Sequence, residues 1–183
     1  MSKNVYFLTG FMASGKSTIG PILANTLGWD FYDLDEEIVK REGNKITEIF
    51  AEKGEQYFRN KETELLNEIS QRKNLIFSLG GGTLVNEVNR KIIKSRGKLI
   101  YLKSSPEVAY KRLRFKRDRP VLLFEGEDEP TMEEYVKRIN SLLDNRKKFY
   151  EEADFILDTD KERVGRTVDK IAKIIEHHQK SAD

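Results

Sequence analysis

The sequence predicts an α/β fold, a parallel sheet covered by helices. Three observations predict it. Apolar runs of two to five residues recur along the 183-residue chain, short enough and apolar enough for strands buried on both faces. Segments of helical period separate them, several with recognisable ends. The two kinds alternate from the first run to the last, which is the pattern of crossover connections in a parallel sheet. No internal repeat or linker composition divides the chain, and its length suits a single domain, residues 1–183, with one core.

Val5-Tyr6-Phe7-Leu8 is the first strand, ended by Gly10. A helix over about Lys16 to Leu27 follows and stops at Gly28. Phe31-Tyr32 is a second, shorter strand. After Gly54 a helix places Arg59, Glu62, Leu66 and Ile69 on one face. Leu75 to Leu79 is the third strand, stopped by Gly80-Gly81-Gly82, and Leu99 to Leu102 is the fourth. Ser105-Pro106-Glu107 opens another helix, with the hydroxyl at the N-cap and proline in the first helical position. Thr131-Met132-Glu133-Glu134 reads as a capping box. The helix it starts carries Ile139, Leu142, Arg146 and Phe149 on one face. Phe155-Ile156-Leu157 is the fifth strand, and the last helix aligns Val164, Val168, Ile171 and Ile175 in one stripe. Residues 115–130 fit neither pattern; a polar stretch this long in a compact domain is a functional or disordered loop.

Composition removes several classes of function. A net charge of +2 argues against a general nucleic-acid binder. The absence of cysteine excludes a disulfide framework and thiolate metal sites. No apolar run approaches the ~20 residues of a membrane span, and the start of the chain has no signal-peptide character. The cytoplasm is the expected location. His177 and His178 read as a solvated tail.

Gly10-Phe11-Met12-Ala13-Ser14-Gly15-Lys16-Ser17 matches G-x-x-x-x-G-K-[ST] between a predicted strand and a predicted helix, the context this phosphate-binding loop requires. Its amides and the helix start attract phosphate, the lysine reaches the β- and γ-phosphates, and the Ser17 hydroxyl suits Mg²⁺. Asn60-Lys61-Glu62-Thr63 approaches the guanine motif N-K-x-D but lacks the aspartate and comes too early in the chain.

Asp33 and Asp35 flank Leu34 at the end of the second strand. Two residues apart on a strand they share a side and face the crevice of the phosphate loop, where they serve a metal and an acceptor hydroxyl. The alternative is a loop aspartate capping a helix, for which Glu36-Glu37 suits the first turn. Arg59 with Glu62 on an apolar stripe is either a structural ion pair or the lining of a polar cavity. Arg146 seeks an anion or snorkels to the helix edge. Two inward arginines point to an acceptor that carries a carboxylate. Gly80-Gly81-Gly82 lets a backbone approach a ligand, or is a plain turn. From Lys111 to Arg119 six of nine residues are basic, which suits a lid that closes over a triphosphate.

Together the phosphate loop, Asp33-Leu34-Asp35, Phe58-Arg59 with Glu62, Gly80-Gly81-Gly82, Arg119-Pro120 and Arg146 resemble the shikimate kinases in order and spacing, over nearly the whole chain. The resemblance implies a three-layer α/β/α P-loop NTPase fold with a five-stranded parallel sheet in the order 2-3-1-4-5. It implies a substrate-binding segment at about 34–62 and a lid at about 113–130. The implied reaction moves the γ-phosphoryl of ATP to the 3-hydroxyl of shikimate, in a monomer that uses Mg²⁺. Gly10, Ala13, Ser14, Gly15, Lys16, Ser17 and Thr18 would hold the nucleotide's phosphates, with Lys16 and Arg119 on the transferring group. Arg112 would stack on adenine. Ser17 would hold the metal, Asp33 would reach it through water, and Ser78 would support it from behind those ligands. Asp35 would accept the hydroxyl proton. Arg59, Arg146, Gly81 and Gly82 would grip the carboxylate beside Gly80, and Phe50 and Phe58 would wall the ring.

Three positions depart from the family pattern: Ala13 stands where most members have glycine, Val121 replaces leucine, and Val164 replaces a proline on the adenine side. Another P-loop kinase, for gluconate or a nucleoside monophosphate, is the rival enzyme. A nucleotide-binding regulator without kinase activity is the rival outside catalysis.

Overall fold

A computed structural model of the chain describes residues 4–113 and 131–181. Five parallel strands form one sheet in the order β2-β3-β1-β4-β5, as the resemblance implies. They are β1 (Val5–Thr9), β2 (Asp30–Asp33), β3 (Leu75–Ser78), β4 (Lys98–Lys103) and β5 (Phe155–Asp158). The helices are α1 (Lys16–Leu27), α2 (Leu34–Glu42), α3 (Ile46–Ile69), α4 (Glu87–Arg96), α5 (described over Pro106–Leu113), α6 (Met132–Tyr150) and α7 (Val164–Lys180).

Alternation along the strands divides the core. Val5, Phe7, Leu75, Phe77, Leu99 and Tyr101 pack on one face against Leu34, Ile38, Phe58, Leu66, Ile93 and Tyr150. Tyr6, Leu8, Ile76, Ile100 and Leu102 pack on the other against Leu23, Val168, Ile171 and Ile175. Each fully buried aliphatic or aromatic side chain contributes about 1.5–3 kcal/mol. A third cluster, in which Phe11 meets Ala109, Leu113 and Ile139, closes the end of the sheet where the strands finish.

Element ends follow the local chemistry. Gly28 caps α1 in the left-handed conformation, its N–H returning to Ala24 and Asn25. The Thr131–Glu134 capping box is formed, and the Ser105 hydroxyl accepts from the Val108 N–H at 3.4 Å. Gly54, at φ 82 and ψ 167, breaks α3 into two arms, so the arm bearing Arg59 begins where the glycine predicts.

Two expectations are corrected. Val164 opens α7 and remains 39% exposed, because a first-turn position has not yet reached the sheet. His178 is no solvated tail: its Nδ1 lies 2.8 Å from the buried Tyr6 hydroxyl and its ring meets Phe155 edge-on, because α7 continues past both histidines. Among the described residues no helix is long and apolar enough to cross a membrane.

Candidate active site

Neighbours of β1 are reached in opposite directions along the sheet, β3 on one side and β4 on the other. Such a switch opens a crevice at the carboxyl ends of the strands. The loop Gly10–Gly15 sits there, joining β1 directly to α1. Phe11, buried, anchors it to α5 and α6. Ala13 takes φ 61, a left-handed conformation in which glycine is at ease and alanine is strained. The Lys16 ammonium donates to the Gly10 carbonyl at 2.7 Å and the Phe11 carbonyl at 3.2 Å, which holds it across the loop. Ser17 and Thr18 are exposed at the start of α1, where the helix end is electropositive.

Only Asp33 belongs to β2; Leu34 and Asp35 are already helical. The expectation that the two carboxylates share a side of a strand is therefore corrected. One oxygen of Asp33 accepts from the N–H groups of Asp35 and Glu36, at 3.0 and 3.3 Å, and caps α2. The cap turns Asp35 toward the glycine loop: a Cβ on Gly80 would lie 2.6 Å from its Oδ1. Ser78, in register with Asp33 on the adjacent strand, is buried. Its hydroxyl has no hydrogen-bond partner among the described residues, and neither do those of Thr9 and Ser14.

The three glycines after β3 collect the rest of the site. Beside Gly80, besides Asp35, stand the Glu62 carboxylate and the Thr83 hydroxyl, each 3.2 Å from a Cβ placed there. Beside Gly81, an Arg146 guanidinium nitrogen lies 3.2 Å from such a Cβ. Beside Gly82, both terminal nitrogens of Arg59 lie at 3.0 Å. Arg59 and Glu62 form the ion pair, at 3.0 Å, and line the polar site as well. Glu62 is 1% exposed and also accepts from Thr83 at 2.6 Å, so its burial is compensated. Arg146 turns to the glycine loop and does not snorkel to the helix edge. Phe50 and Phe58 pack with ring centroids 4.8 Å apart, and the Arg59 guanidinium lies 5.2 Å from the Phe58 ring. Asn60, Lys61, Glu62 and Thr63 are consecutive residues inside α3, so the near match to a guanine motif has no loop context.

On the far side of the phosphate loop, Arg112 donates to the Ala13 carbonyl at 2.9 Å and the Thr159 carbonyl at 3.0 Å. It therefore bridges the crest of the loop to the segment after β5. Next to it Asp160 accepts from Ser104 and Ser105. Burial works to raise the Asp160 carboxyl, but those hydrogen bonds and the nearby Arg112 hold it below the usual range. Arg119 and all of the expected lid at about 113–130 except Leu113 lie outside the described residues.

Two supporting side chains escape the sequence reading. Thr83 follows the glycines directly and fixes Glu62, a role its position hints at only once the loop is folded. Tyr150, four residues after Arg146 and so on the same helical face, donates to the Gly81 carbonyl at 2.7 Å. That spacing was the available signal.

A phosphate loop at the carboxyl end of the central strand of a 2-3-1-4-5 parallel sheet, with an arginine-lined polar site beside it, defines a P-loop nucleotide-binding enzyme. The shikimate kinase family model matches residues 12–176. A shikimate kinase of Chlorobium phaeobacteroides is 45% identical over 98% of this chain and 90% of its own length. One from Chlorobaculum tepidum is 47% identical over 98% and 94%. The solved shikimate kinase of Acinetobacter baumannii in complex with shikimate superposes with a TM-score of 0.85 at 33% identity, covering 95% of this chain and 93% of that one. The chain belongs to the shikimate kinase family, and with it to the ATP-dependent kinases.

Proposed function

We propose that the chain transfers the γ-phosphoryl group of ATP to the 3-hydroxyl of shikimate, giving ADP and shikimate 3-phosphate. The observation that carries this reading is the convergence of Arg59 and Arg146 on Gly82 and Gly81, with Asp35 at Gly80. Two cations side by side with two backbone amides suit a carboxylate, and a carboxylate base one glycine away suits a hydroxyl on the same small ring.

Phosphoryl transfer requires alignment and charge neutralisation more than covalent chemistry. In this reading the amides from Gly10 to Thr18 cradle the phosphates at the start of α1. Lys16 leaves the Gly10 and Phe11 carbonyls for the β- and γ-phosphates. Arg112, between Ala13 and Thr159, flanks the adenine. Arg59, Arg146 and the amides of Gly81 and Gly82 orient the acceptor ring against Phe50 and Phe58. Asp35 takes the hydroxyl proton as the oxygen attacks. Arg119 joins Lys16 on the transferring group, and the segment at about 113–130 closes as a lid over residues 1–183 acting as one unit, with 34–62 presenting the acceptor.

The residues present suit Mg²⁺. Ser17 offers an exposed hydroxyl, Asp33 keeps one oxygen clear of its capping bonds, and the buried Ser78 hydroxyl beside it lacks a partner among the described residues. When bound, the ion would offset the charge of the β- and γ-phosphate oxygens. We assign the protein to the cytoplasm, as a monomer acting on small molecules.

A coupled assay of ADP release tests the reading, with shikimate, gluconate and nucleoside monophosphates as acceptors. Release driven by shikimate alone is expected. Faster release with gluconate or a nucleotide would transfer the assignment to another P-loop kinase, and no acceptor-dependent release would leave a nucleotide-binding regulator.

A further inference from the structure

We infer that Tyr150 is a positioning residue for the acceptor: by holding the Gly81 carbonyl it aims the Gly82 amide into the site. The inference rests on the proposed binding of a carboxylate beside Gly81 and Gly82.

Tyr150 is the last residue of α6 and is fully buried. Its ring packs on Tyr101 of β4, with centroids 5.2 Å apart. The hydroxyl donates to the Gly81 carbonyl at 2.7 Å, a well-formed O–H···O bond of ordinary length. Every described peptide bond is trans. In a trans peptide the C=O of one residue and the N–H of the next point in opposite directions. Fixing the Gly81 carbonyl on the α6 side therefore turns the Gly82 N–H to the opposite side, away from Tyr150. Both terminal nitrogens of Arg59 stand beside Gly82. Among the described residues neither the Gly81 nor the Gly82 amide donates a hydrogen bond.

A glycine loop has no side chains to set its own peptide planes, and three glycines in a row give it wide conformational freedom. The phenol supplies that constraint from another element. The same helix carries Arg146 one turn earlier, next to Gly81, so one rigid body sets both the cation and the amide. Burial pushes the Tyr150 phenol up, while the Arg146 cation beside it works in the other direction. The hydroxyl remains a protonated donor at neutral pH. Pre-setting an amide matters for binding because a ligand need not bear the cost of ordering it.

Tyr150→Phe removes the hydroxyl and keeps the ring on Tyr101. The expected result is a roughly five- to tenfold rise in the KM for shikimate, in the range of one lost hydrogen bond of about 1 kcal/mol. The KM for ATP and kcat should stay within about twofold. Tyr101→Phe alters the same aromatic pair without touching the glycine loop and should leave all three constants unchanged. An unchanged shikimate KM in Tyr150→Phe, or an equal change in Tyr101→Phe, overturns the proposal. A second measurement needs no substitution. In the ¹⁵N-labelled wild type the Gly82 amide resonance should move downfield as shikimate is added, and an unmoved resonance overturns the proposal. Wild-type turnover in the same assay separates the two readings: its absence overturns both, whereas normal turnover with an unaffected Tyr150→Phe overturns only the role of Tyr150.

Discussion

Asp35 is the second residue of α2, and its carboxylate is aimed by the cap that the Asp33 side chain makes on its N–H, not by a strand. Its assigned role is proton acceptance, so Asp35→Asn should lower kcat by about 10²–10⁴-fold while ATP binds as before. Steady-state kinetics with a separate nucleotide titration checks this, and near-wild-type turnover would remove Asp35 from the chemistry. Arg146 has a proposed role in binding. Arg146→Ala deletes a charge-assisted bond of about 1.5–3 kcal/mol and should raise the KM for shikimate roughly ten- to hundredfold. An unchanged KM would contradict the assignment. Arg59 is the costlier residue to lose, since Glu62 is 1% exposed and would be left buried with Thr83 but no cation partner among the described residues.

Elements place these side chains through their junctions. The candidate acceptor site depends on the break at Gly54, which lets the second arm of α3 present Arg59 and Glu62 to the glycine loop. At the other end of the sheet, α4 must hand the chain to β4 directly over β1. Gly97 makes that crossing, and a Cβ there would sit 2.1 Å from the Val5 carbonyl oxygen, a backbone atom with no rotamer to retreat into. Gly97→Ala should therefore destabilise the fold by about 1–3 kcal/mol, read as a lower urea midpoint. KM and kcat should hold at temperatures where the variant is folded, because Gly97 lies at the amino end of β4 and the site lies at the carboxyl ends.

The whole molecule carries a pH dependence in its buried phenols. Burial, with Asp154 nearby, pushes the Tyr6 phenol up to about 12. Burial, with Tyr150 and Glu151 adding repulsion, does the same to Tyr101. An unfolded tyrosine ionises near pH ~10. Below that value both states hold the proton and the full stability is present. From about 10 upward the unfolded chain releases protons that the native protein keeps, and stability falls until the native phenols also ionise near 12. Melting midpoints measured from pH 8 to 12 should decline above about 10, and the decline should be shallower in Tyr101→Phe. Equal slopes for the two proteins would contradict this account.

Periodicity, caps and the phosphate-loop spacing by themselves determined the alternating α/β order, the two ends of α1, the start of α6, and the place of the nucleotide's phosphates, because each is a local property of a few neighbouring residues. The candidate acceptor residues were legible as types: charges on apolar helix faces and three glycines after a strand. Tertiary structure alone decided what they do together. Gly80, Gly81 and Gly82 draw Asp35, Arg59 and Arg146 from three separate helices, and Glu62 serves as ion-pair partner and site wall at once. The grip of Tyr150 on the Gly81 carbonyl spans 69 residues of chain, a distance over which no sequence periodicity carries information.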